Sequence, residues 1–283
     1  MKVKRFVPGH ISCVFRPVRT GDVRTTGSLG LGIRLDKGCT ATVWETSGND
    51  ISICINGSVC EASVTRAAIE SMHPDTGLEI RLMHDLPLEQ GFAASASGTL
   101  AAALCVADLL GRDVSEAFSV THIAECSMGG GLGDLAAIRS GYDVPVRRSA
   151  GVDAEVTDPG IRFDHLSLLV SDEPLRTTSV LNDDAVMKKV IRYGDEAMGM
   201  FTSDPTVGTL FKASNMFSEG IGLESERIRS ARAVIGDEGY RSGMCMLGNS
   251  IYTDAPVDYL RERFPDSTVI GCASFGGKIT QKA

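Results

Sequence analysis

A chain of 283 residues, of which 43% are hydrophobic and 23% charged, can bury one large core or two medium ones. Its net charge of −8 argues against nucleic acid as the main partner, because nucleic-acid-binding surfaces are usually basic. The sequence has no apolar run long enough to cross a bilayer, and its N-terminus lacks the apolar stretch of a signal peptide. We therefore expect a cytoplasmic protein with no membrane and no nucleic-acid partner.

The eight cysteines are scattered along the chain without a Cys-x-x-Cys pair, and most of them lie in apolar runs. Zinc sites and disulfide frameworks usually show regular cysteine spacing. The pattern instead indicates buried free thiols in a reducing compartment.

The N-terminal part of the chain is rich in strand patterns. Strands are predicted over residues 6–15, 41–44, 51–55 and 78–83. The first of them contains a turn or bulge signal at Pro8-Gly9-His10. A helix is predicted over residues 64–72.

Two connections in this part stand out. Asn56-Gly57 predicts a two-residue hairpin. Residues 22–32, which include Thr25, Thr26 and Ser28, are expected to form a glycine-rich loop. Its hydroxyl and N–H groups could grip a polar ligand, and an ordinary connection is the alternative.

Residues 87–104 contain the most informative stretch. A loop of Gly, Ala and Ser is followed by an Ala- and Leu-rich segment that predicts a helix ending at Gly111. Small side chains let a ligand approach the backbone, and the unpaired N–H groups at a helix start attract anions such as phosphate. A buried helix entered through a small-residue turn is the alternative. The patterns of a P-loop, a Rossmann fold and a protein kinase are absent.

A second stretch combines an acidic helix with a glycine-rich turn. Residues 114–126 predict a helix with Ser115 as its N-cap, in which His122 and Glu125 share one face. A glycine-rich turn follows and leads into Asp134. A lone Asp in such a turn is often only a turn residue, so a functional role and a structural one both remain open.

The C-terminal part changes character. Strands are predicted over 163–170 and 269–273, helices over 183–200, 206–219, 225–235 and 257–264, and a strand or strand–turn over 243–252. This order predicts an α+β sandwich. We expect a domain boundary between an N-terminal domain of residues 1–158 and a C-terminal domain of residues 159–283.

The two glycine-rich stretches resemble motifs of the GHMP kinases. The pattern of that family, Pro-x-x-x-Gly-Leu-Gly-Ser-Ser-Ala, is matched at Pro87, Gly91, Ser95 and Ala96. Ala93 replaces a glycine of the pattern and Ala94 a hydroxyl residue. The later order of Glu125, Gly133-Asp134 and Gly141 also resembles the family, and residues 242–249 resemble its third motif loosely.

The resemblance implies the GHMP kinase fold, which is an N-terminal ribosomal-S5-domain-2-like α+β domain followed by a ferredoxin-like α+β domain. It implies ATP and Mg²⁺ as cofactors. Eight residues would contact the nucleotide: Pro87, Gly91, Phe92, Ala93, Ala94, Ser95, Ala96 and Ser97. Ser95 and Glu125 would hold Mg²⁺, and Asp134 would be the catalytic residue that orients the acceptor hydroxyl.

Within the family, the segments at residues 8–12, 27–28, 90–92, 131–134 and 246–249 resemble the archaeal branch whose substrate is (R)-pantoate. This implies a kinase of coenzyme A biosynthesis. The substrate candidates are Ser28, His122, Arg147 and Thr177, with Arg147 favoured over Arg148 for the carboxylate. The alternatives are a GHMP kinase for mevalonate, homoserine or a sugar, or a non-catalytic relative that senses a metabolite. A homodimer is left open.

Overall fold

Two long strands, β1 (Lys2–Val18) and β2 (Gly27–Thr46), pair antiparallel and carry the rest of the first sheet. The computed structural model describes residues 1–171 and 184–279. The ladder of β1 and β2 is shifted between Pro8 and His10, where the sequence predicted a turn or bulge, and again between Ser12 and Val14. These irregularities redirect the side chains of β1 near its middle.

The first sheet has seven strands. The others are β3 (Ile51–Ile55), β4 (Ser58–Val59), β5 (Gly77–His84), β6 (Val146–Arg147) and β7 (Val156–Thr157). Their order is β4-β3-β5-β2-β6-β7, with β1 also paired to β2. The pair β3–β5 is parallel and the other pairs are antiparallel.

The predicted hairpin at Asn56-Gly57 is confirmed. It joins β3 to β4, with Ile55 facing Ser58 across the turn. Both turn residues have positive φ, 48° and 88°, as a two-residue turn of this kind requires.

Four helices belong to the same half of the chain: α1 (Ser63–Glu70), α2 (Ala94–Leu110), α3 (Val114–Ser127) and α4 (Asp134–Ser140). Helix α2 is the central one, because every residue from Ala96 to Ala107 is buried. A helix that is apolar all round is expected to be buried all round. It ends, as predicted, at Gly111 with a left-handed φ of 64°.

The second sheet is antiparallel and has the order β11-β8-β10-β9. Its strands are β8 (Leu166–Val170), β9 (Ser242–Met244), β10 (Ile251–Thr253) and β11 (Thr268–Cys272). Residues 243–252 form a strand, a turn and a strand, which confirms the predicted strand–turn.

In the described residues of this half the helices are α5 (Asp184–Ser203), α6 (Val207–Ile221), α7 (Glu226–Asp237) and α8 (Val257–Arg263). Each agrees with a predicted helix within a few residues. Thr206 and Ser225 cap α6 and α7 by accepting a hydrogen bond from a backbone N–H of the first turn.

The two sheets share one cluster of buried residues. Ile11 and Leu31 of the β1–β2 pair belong to the same cluster as Leu168 of β8. Phe15 of β1 and Phe217 of α6 meet edge to face with ring centroids 5.3 Å apart. The predicted α+β class is confirmed, whereas the boundary after residue 158 stays a prediction.

Two local expectations are wrong. Residues 27–32 are not loop, because β2 begins at Gly27. A Cβ at Gly30 would lie 2.6 Å from Arg147 Nη2, so this glycine lets the Arg147 side chain approach the backbone of β2. The N-cap of α3 is Asp113 and not Ser115, since the Asp113 carboxylate accepts the Ser115 N–H at 2.7 Å.

All eight cysteines lie in the described residues and are free thiols, as predicted. Five of them are buried and Cys60 is exposed. No helix in the described ranges is long and apolar enough to span a membrane.

Candidate active site

The loop between β5 and α2 has an unusual backbone. Glu89, Gly91 and Ala93 take positive φ angles of 59°, 83° and 55°. Only glycine adopts such angles freely, so Ala93 holds a conformation that its own side chain opposes. Ala93 replaces a glycine of the GHMP pattern, and it keeps the backbone conformation that suits a glycine.

Helix α2 begins directly after this turn, and no side chain caps its first N–H groups. The N–H of Ser97 is already bonded to Ala93 O at 2.9 Å. The N–H groups before it have no acceptor within a helix and lie at the positive end of the helix dipole. This helix start is therefore suited to bind a phosphate group.

A cavity of about 190 Å³ opens in front of the helix start, and we call it the central cleft. Residues 91–96 form one wall. The other contains the glycine turn with Glu125 and Asp134. Four further residues complete the lining: Ser12, Glu89, Met246 and Leu247. The cleft thus brings together residues that were predicted separately for nucleotide, metal and catalysis.

Glu125 is buried in this cleft and is bonded on both carboxylate oxygens. Its Oε1 accepts a hydrogen bond from Ser95 Oγ at 2.5 Å, and its Oε2 accepts the Gly131 N–H at 3.0 Å. Burial raises the pKa of Glu125 to about 7, helped by the charge of Asp134, although the bond from Ser95 works in the opposite direction. The predicted pair of Ser95 and Glu125 is in direct contact.

Asp134 is the first residue of α4 and is held by His10 of β1. Its Oδ1 lies 2.8 Å from His10 Nδ1. Burial alone would raise the pKa of Asp134, but the hydrogen bond from His10 and the charge of Arg147 outweigh it and hold this pKa below its usual range. Asp134 is therefore ionised at neutral pH.

The tautomer of His10 follows from these contacts. Burial lowers the pKa of His10 despite the bond to Asp134, so the fully buried ring is neutral near pH 7. A carboxylate can only accept, so Nδ1 carries the proton and donates to Asp134. Nε2 is then a bare acceptor with no hydrogen-bond partner among the described residues, and it faces the Cα of Gly32.

His10 and Ser12 lie beside Asp134, and sequence analysis did not single them out as candidate site residues. They are two residues apart on β1, so both side chains point to the face that Asp134 covers. The Ser12 hydroxyl also lowers the pKa of Asp134. The sequence signal was present in the segment Pro8-Gly9-His10-Ile11-Ser12, but only as a turn and as part of the family resemblance.

A smaller cavity of about 20 Å³ adjoins the central cleft, and we call it the small cavity. It shares Ser12 and Asp134 with the cleft and has Ser28 and Gly133 in its wall. Arg147 lies directly behind that wall. Its Nε donates to Ser28 O at 3.2 Å, and a Cβ on Gly133 would lie 2.6 Å from the same nitrogen.

The Arg147 side chain is fully buried, and neither Nη1 nor Nη2 has a hydrogen-bond partner within the described residues. Burial lowers its pKa while Asp134 raises it, but an arginine stays charged at physiological pH. An unpaired buried guanidinium is costly unless an acceptor meets it. Arg148, in contrast, is exposed and donates to Thr157 and Thr202.

The other predicted site residues are not on these walls. His122 is buried beside the loop before β2, where its Nε2 donates to Val23 O at 3.0 Å. The Ser97 hydroxyl bonds to Ala94 O within α2. Pro87 precedes the loop without lining the cleft. Thr177 lies outside the described residues.

The turn between β9 and β10 supports the loop from the other side. Ser250 Oγ donates to Gln90 Oε1 at 2.8 Å, and both residues are buried. A Cβ on Gly248 would collide with the backbone of Gln90. Leu247, at the lip of both cavities, has a strained φ of 61°. Residues 242–249, which match the third motif loosely, therefore contact the loop between β5 and α2.

A third cavity, of about 250 Å³, lies on the far side of the loop. We call it the apolar pocket. It shares Glu89, Ala94 and Ser95 with the central cleft. Its remaining wall comes from β3, β5 and α1, and includes Ile55, Leu82 and His84 together with the loop residue Leu88.

Comparisons with known proteins agree with this geometry. Residues 60–142, which contain the loop, α3 and Asp134, match the family described as GHMP kinases N terminal domain. A protein of Thermococcus kodakarensis is 30% identical over 266 residues, covering 89% of this chain and 87% of its own. The chain belongs to the GHMP kinase family.

Relatives of similar length point to one branch of this family. The Thermococcus kodakarensis protein is a pantoate kinase, and so is a Methanocaldococcus jannaschii protein that is 25% identical over 260 residues, covering 91% of this chain and 94% of its own. A solved structure titled "Phosphotransferase related to CoA biosynthesis pathway" has a TM-score of 0.88 at 23% identity, covering 98% and 97% of the two chains.

The packing of His10 gives a prediction for Gly32. A Cβ at this position would collide with His10 Nε2 and with the Ile11 carbonyl. We expect Gly32→Ala to lower the free energy of unfolding by about 1–3 kcal/mol in urea denaturation and to reduce turnover by displacing His10. Gly21→Ala is the matched control, since nothing lies within 4 Å of its added methyl group. Equal stability and turnover in the two variants would contradict the packing described.

Proposed function

We propose that this chain transfers the γ-phosphoryl group of ATP to the primary hydroxyl of (R)-pantoate, giving 4-phosphopantoate and ADP in coenzyme A biosynthesis. The relatives of matching length are pantoate kinases. The single observation that carries the proposal is the central cleft, in which an uncapped helix start faces the ionised Asp134. Phosphoryl transfer depends mainly on positioning and on charge stabilisation, and this arrangement supplies both.

The nucleotide would lie across the loop. The backbone N–H groups of residues 91–96 would bind its phosphates, as a helix start with small side chains allows. The apolar pocket shares Glu89, Ala94 and Ser95 with the central cleft, so a nucleotide with its phosphates in the cleft would place its base there. The side chains of Ala93 and Ala94 take no part in these backbone contacts.

Ser95 and Glu125 are the residues that would hold Mg²⁺. Hydroxyl and carboxylate oxygens suit this hard cation, so the donor set fits. No cluster of three or more His, Cys, Asp or Glu side chains in the described ranges could hold a metal alone. Mg²⁺ usually needs only one or two protein groups beside phosphate oxygens and water. When bound, it would neutralise charge on the phosphates.

Asp134 would orient the acceptor hydroxyl. Because this carboxylate is ionised, it accepts a hydrogen bond from the hydroxyl and directs the oxygen toward the phosphate-binding loop. A loose transition state needs little deprotonation before transfer, so Asp134 takes the proton late. Neutral His10 keeps the carboxylate in place without taking its charge away.

Pantoate also carries a carboxylate, and Arg147 is the cation best situated to meet it. Its Nε and guanidinium carbon lie behind Ser28 and Gly133, its Nη2 lies against Gly30, and neither Nη group has a hydrogen-bond partner within the described residues. The charge of Asp134 acts on this guanidinium. An arginine fork bonds a carboxylate at two points. Arg148 is a poor candidate, since it is exposed and bonded to Thr157 and Thr202. Contacts from His122 and Thr177 stay predictions.

A cytoplasmic location is part of the proposal, because ATP is available there and the free thiols suit a reducing compartment. The absence of a membrane or nucleic-acid partner and the existence of a homodimer stay predictions.

The reaction is tested by ADP formation from Mg-ATP with (R)-pantoate, pantothenate, mevalonate, homoserine and galactose offered separately. We expect turnover with (R)-pantoate alone. Asp134→Asn should lower kcat at least 100-fold, because the amide cannot accept the proton. Turnover with another alcohol would keep the family and discard pantoate. Nucleotide binding without turnover on any alcohol would favour the sensing relative.

The carboxylate contact is tested by Arg147→Met, with Arg148→Met as the matched control. A hydrogen bond to a charged group contributes about 1.5–3 kcal/mol, so we expect the KM for pantoate to rise roughly 10- to 100-fold while the KM for ATP changes little. Arg148→Met should change neither constant by more than about twofold. Arg147→Lys, which retains the charge, should show an intermediate effect. An unchanged KM for pantoate in Arg147→Met would exclude this contact.

A further inference from the structure

The wall of the apolar pocket contains an imidazole that the proposed mechanism does not use. It is His84, the last residue of β5, which is half-buried in the pocket wall. Its backbone N–H donates to Asn56 Oδ1 at 2.9 Å, which fixes the end of the strand. Within the described residues, its ring nitrogens have no hydrogen-bond partner, so the imidazole is a free polar group in an apolar site.

The ring is held against α2 at a glycine. A Cβ on Gly98 would lie 3.0 Å from His84 Cε1 and 3.1 Å from His84 Nε2. Glycine inside a helix is less stable than alanine, so its presence there needs a reason. The reason is space, because Gly98 lets the imidazole pack on the helix and face the pocket.

The other polar side chains around the pocket either form hydrogen bonds within the protein or lie at its exposed edge. The Thr65 hydroxyl bonds to Thr99 at 2.8 Å, and Ser95 bonds to Glu125. Ser63 is exposed at the start of α1, and Glu89 is exposed on the loop, where the pocket meets the central cleft. His84 is therefore the free hydrogen-bonding group that the inner strands bring to the pocket.

The imidazole has the chemistry to accept a hydrogen bond. Burial lowers the pKa of His84, although Asp85 opposes the effect, so the ring is neutral near pH 7 and has one bare nitrogen. The exocyclic amino group of adenine is the only hydrogen-bond donor of that base. In an apolar pocket without an acceptor it would be left unpaired, which weakens binding.

We propose that His84 is a specificity residue for the nucleotide, whose imidazole accepts a hydrogen bond from the exocyclic amino group of adenine in the apolar pocket. The inference rests on the proposed function, since it requires that the pocket hold the base of ATP. In this proposal, His84 at the end of β5 selects the base, and Gly98 leaves the space that the His84 ring needs.

The test compares ATP with purine riboside triphosphate, which lacks the amino group, as Mg²⁺ complexes. Wild-type protein and the variants His84→Leu and His84→Gln are titrated by calorimetry. We expect the wild type to bind the analogue about tenfold more weakly than ATP. His84→Leu should bind both equally, and His84→Gln, whose amide oxygen can accept, should restore part of the preference. A purely structural role for His84 would weaken both nucleotides alike.

Turnover measurements separate the role of His84 from the proposed function. In His84→Leu we expect a higher KM for ATP with an unchanged KM for pantoate and a kcat within about twofold of the wild type. An ATP-to-analogue ratio that is the same in the wild type and in His84→Leu would overturn the role of His84, even if pantoate is turned over. The calorimetric comparison does not need pantoate, so a failure of pantoate turnover would count against the proposed function and not against His84.

Discussion

The central cleft depends on a turn of glycines that lets two carboxylates face the same space. Gly130 and Gly131 have no side chains, and a Cβ on either would collide with Glu125 Oε2 or Asp134 Oδ2. The two like charges disfavour each other, and this contributes to the raised pKa of Glu125. The chain offsets the repulsion by separate means, since Ser95 binds Glu125 whereas His10 binds Asp134. Two carboxylates in different environments can then take different roles.

The opposite wall of the cleft depends on contacts from distant parts of the chain. The Phe92 carbonyl accepts the His10 N–H at 3.2 Å, which ties the loop to β1. The buried bond from Ser250 to Gln90 ties it to the second sheet. These contacts hold the left-handed backbone at Ala93, which local preference alone would not maintain. The position of the loop between β5 and α2 is therefore a property of the whole fold, because both sheets contribute to it.

Local patterns in the sequence predicted the α+β class and most elements of the described residues. The common site of Ser95, Glu125 and Asp134 was predicted only through the resemblance of two ordered motifs to the GHMP kinases. The sequence could not predict His10, whose role arises only when β1 passes beneath α4 and so joins residues far apart in the chain. It also placed residues 27–32 in a loop, because glycines that permit close packing look like glycines that permit turns. His122 shares a helix face with Glu125 as predicted, yet it bonds to Val23 instead of lining the cleft.

The central claim is that Glu125 serves the metal and Asp134 serves the acceptor. Nucleotide binding tests this claim most directly. Mg-ATP and metal-free ATP would be titrated by calorimetry into Asp134→Asn and Glu125→Gln. We predict that Asp134→Asn binds ATP with the Mg²⁺ dependence of the wild type, since its carboxylate serves the acceptor. Glu125→Gln should lose most of that dependence, because its carboxylate serves the metal. A loss of Mg²⁺ dependence in Asp134→Asn, with Glu125→Gln unchanged, would contradict the account.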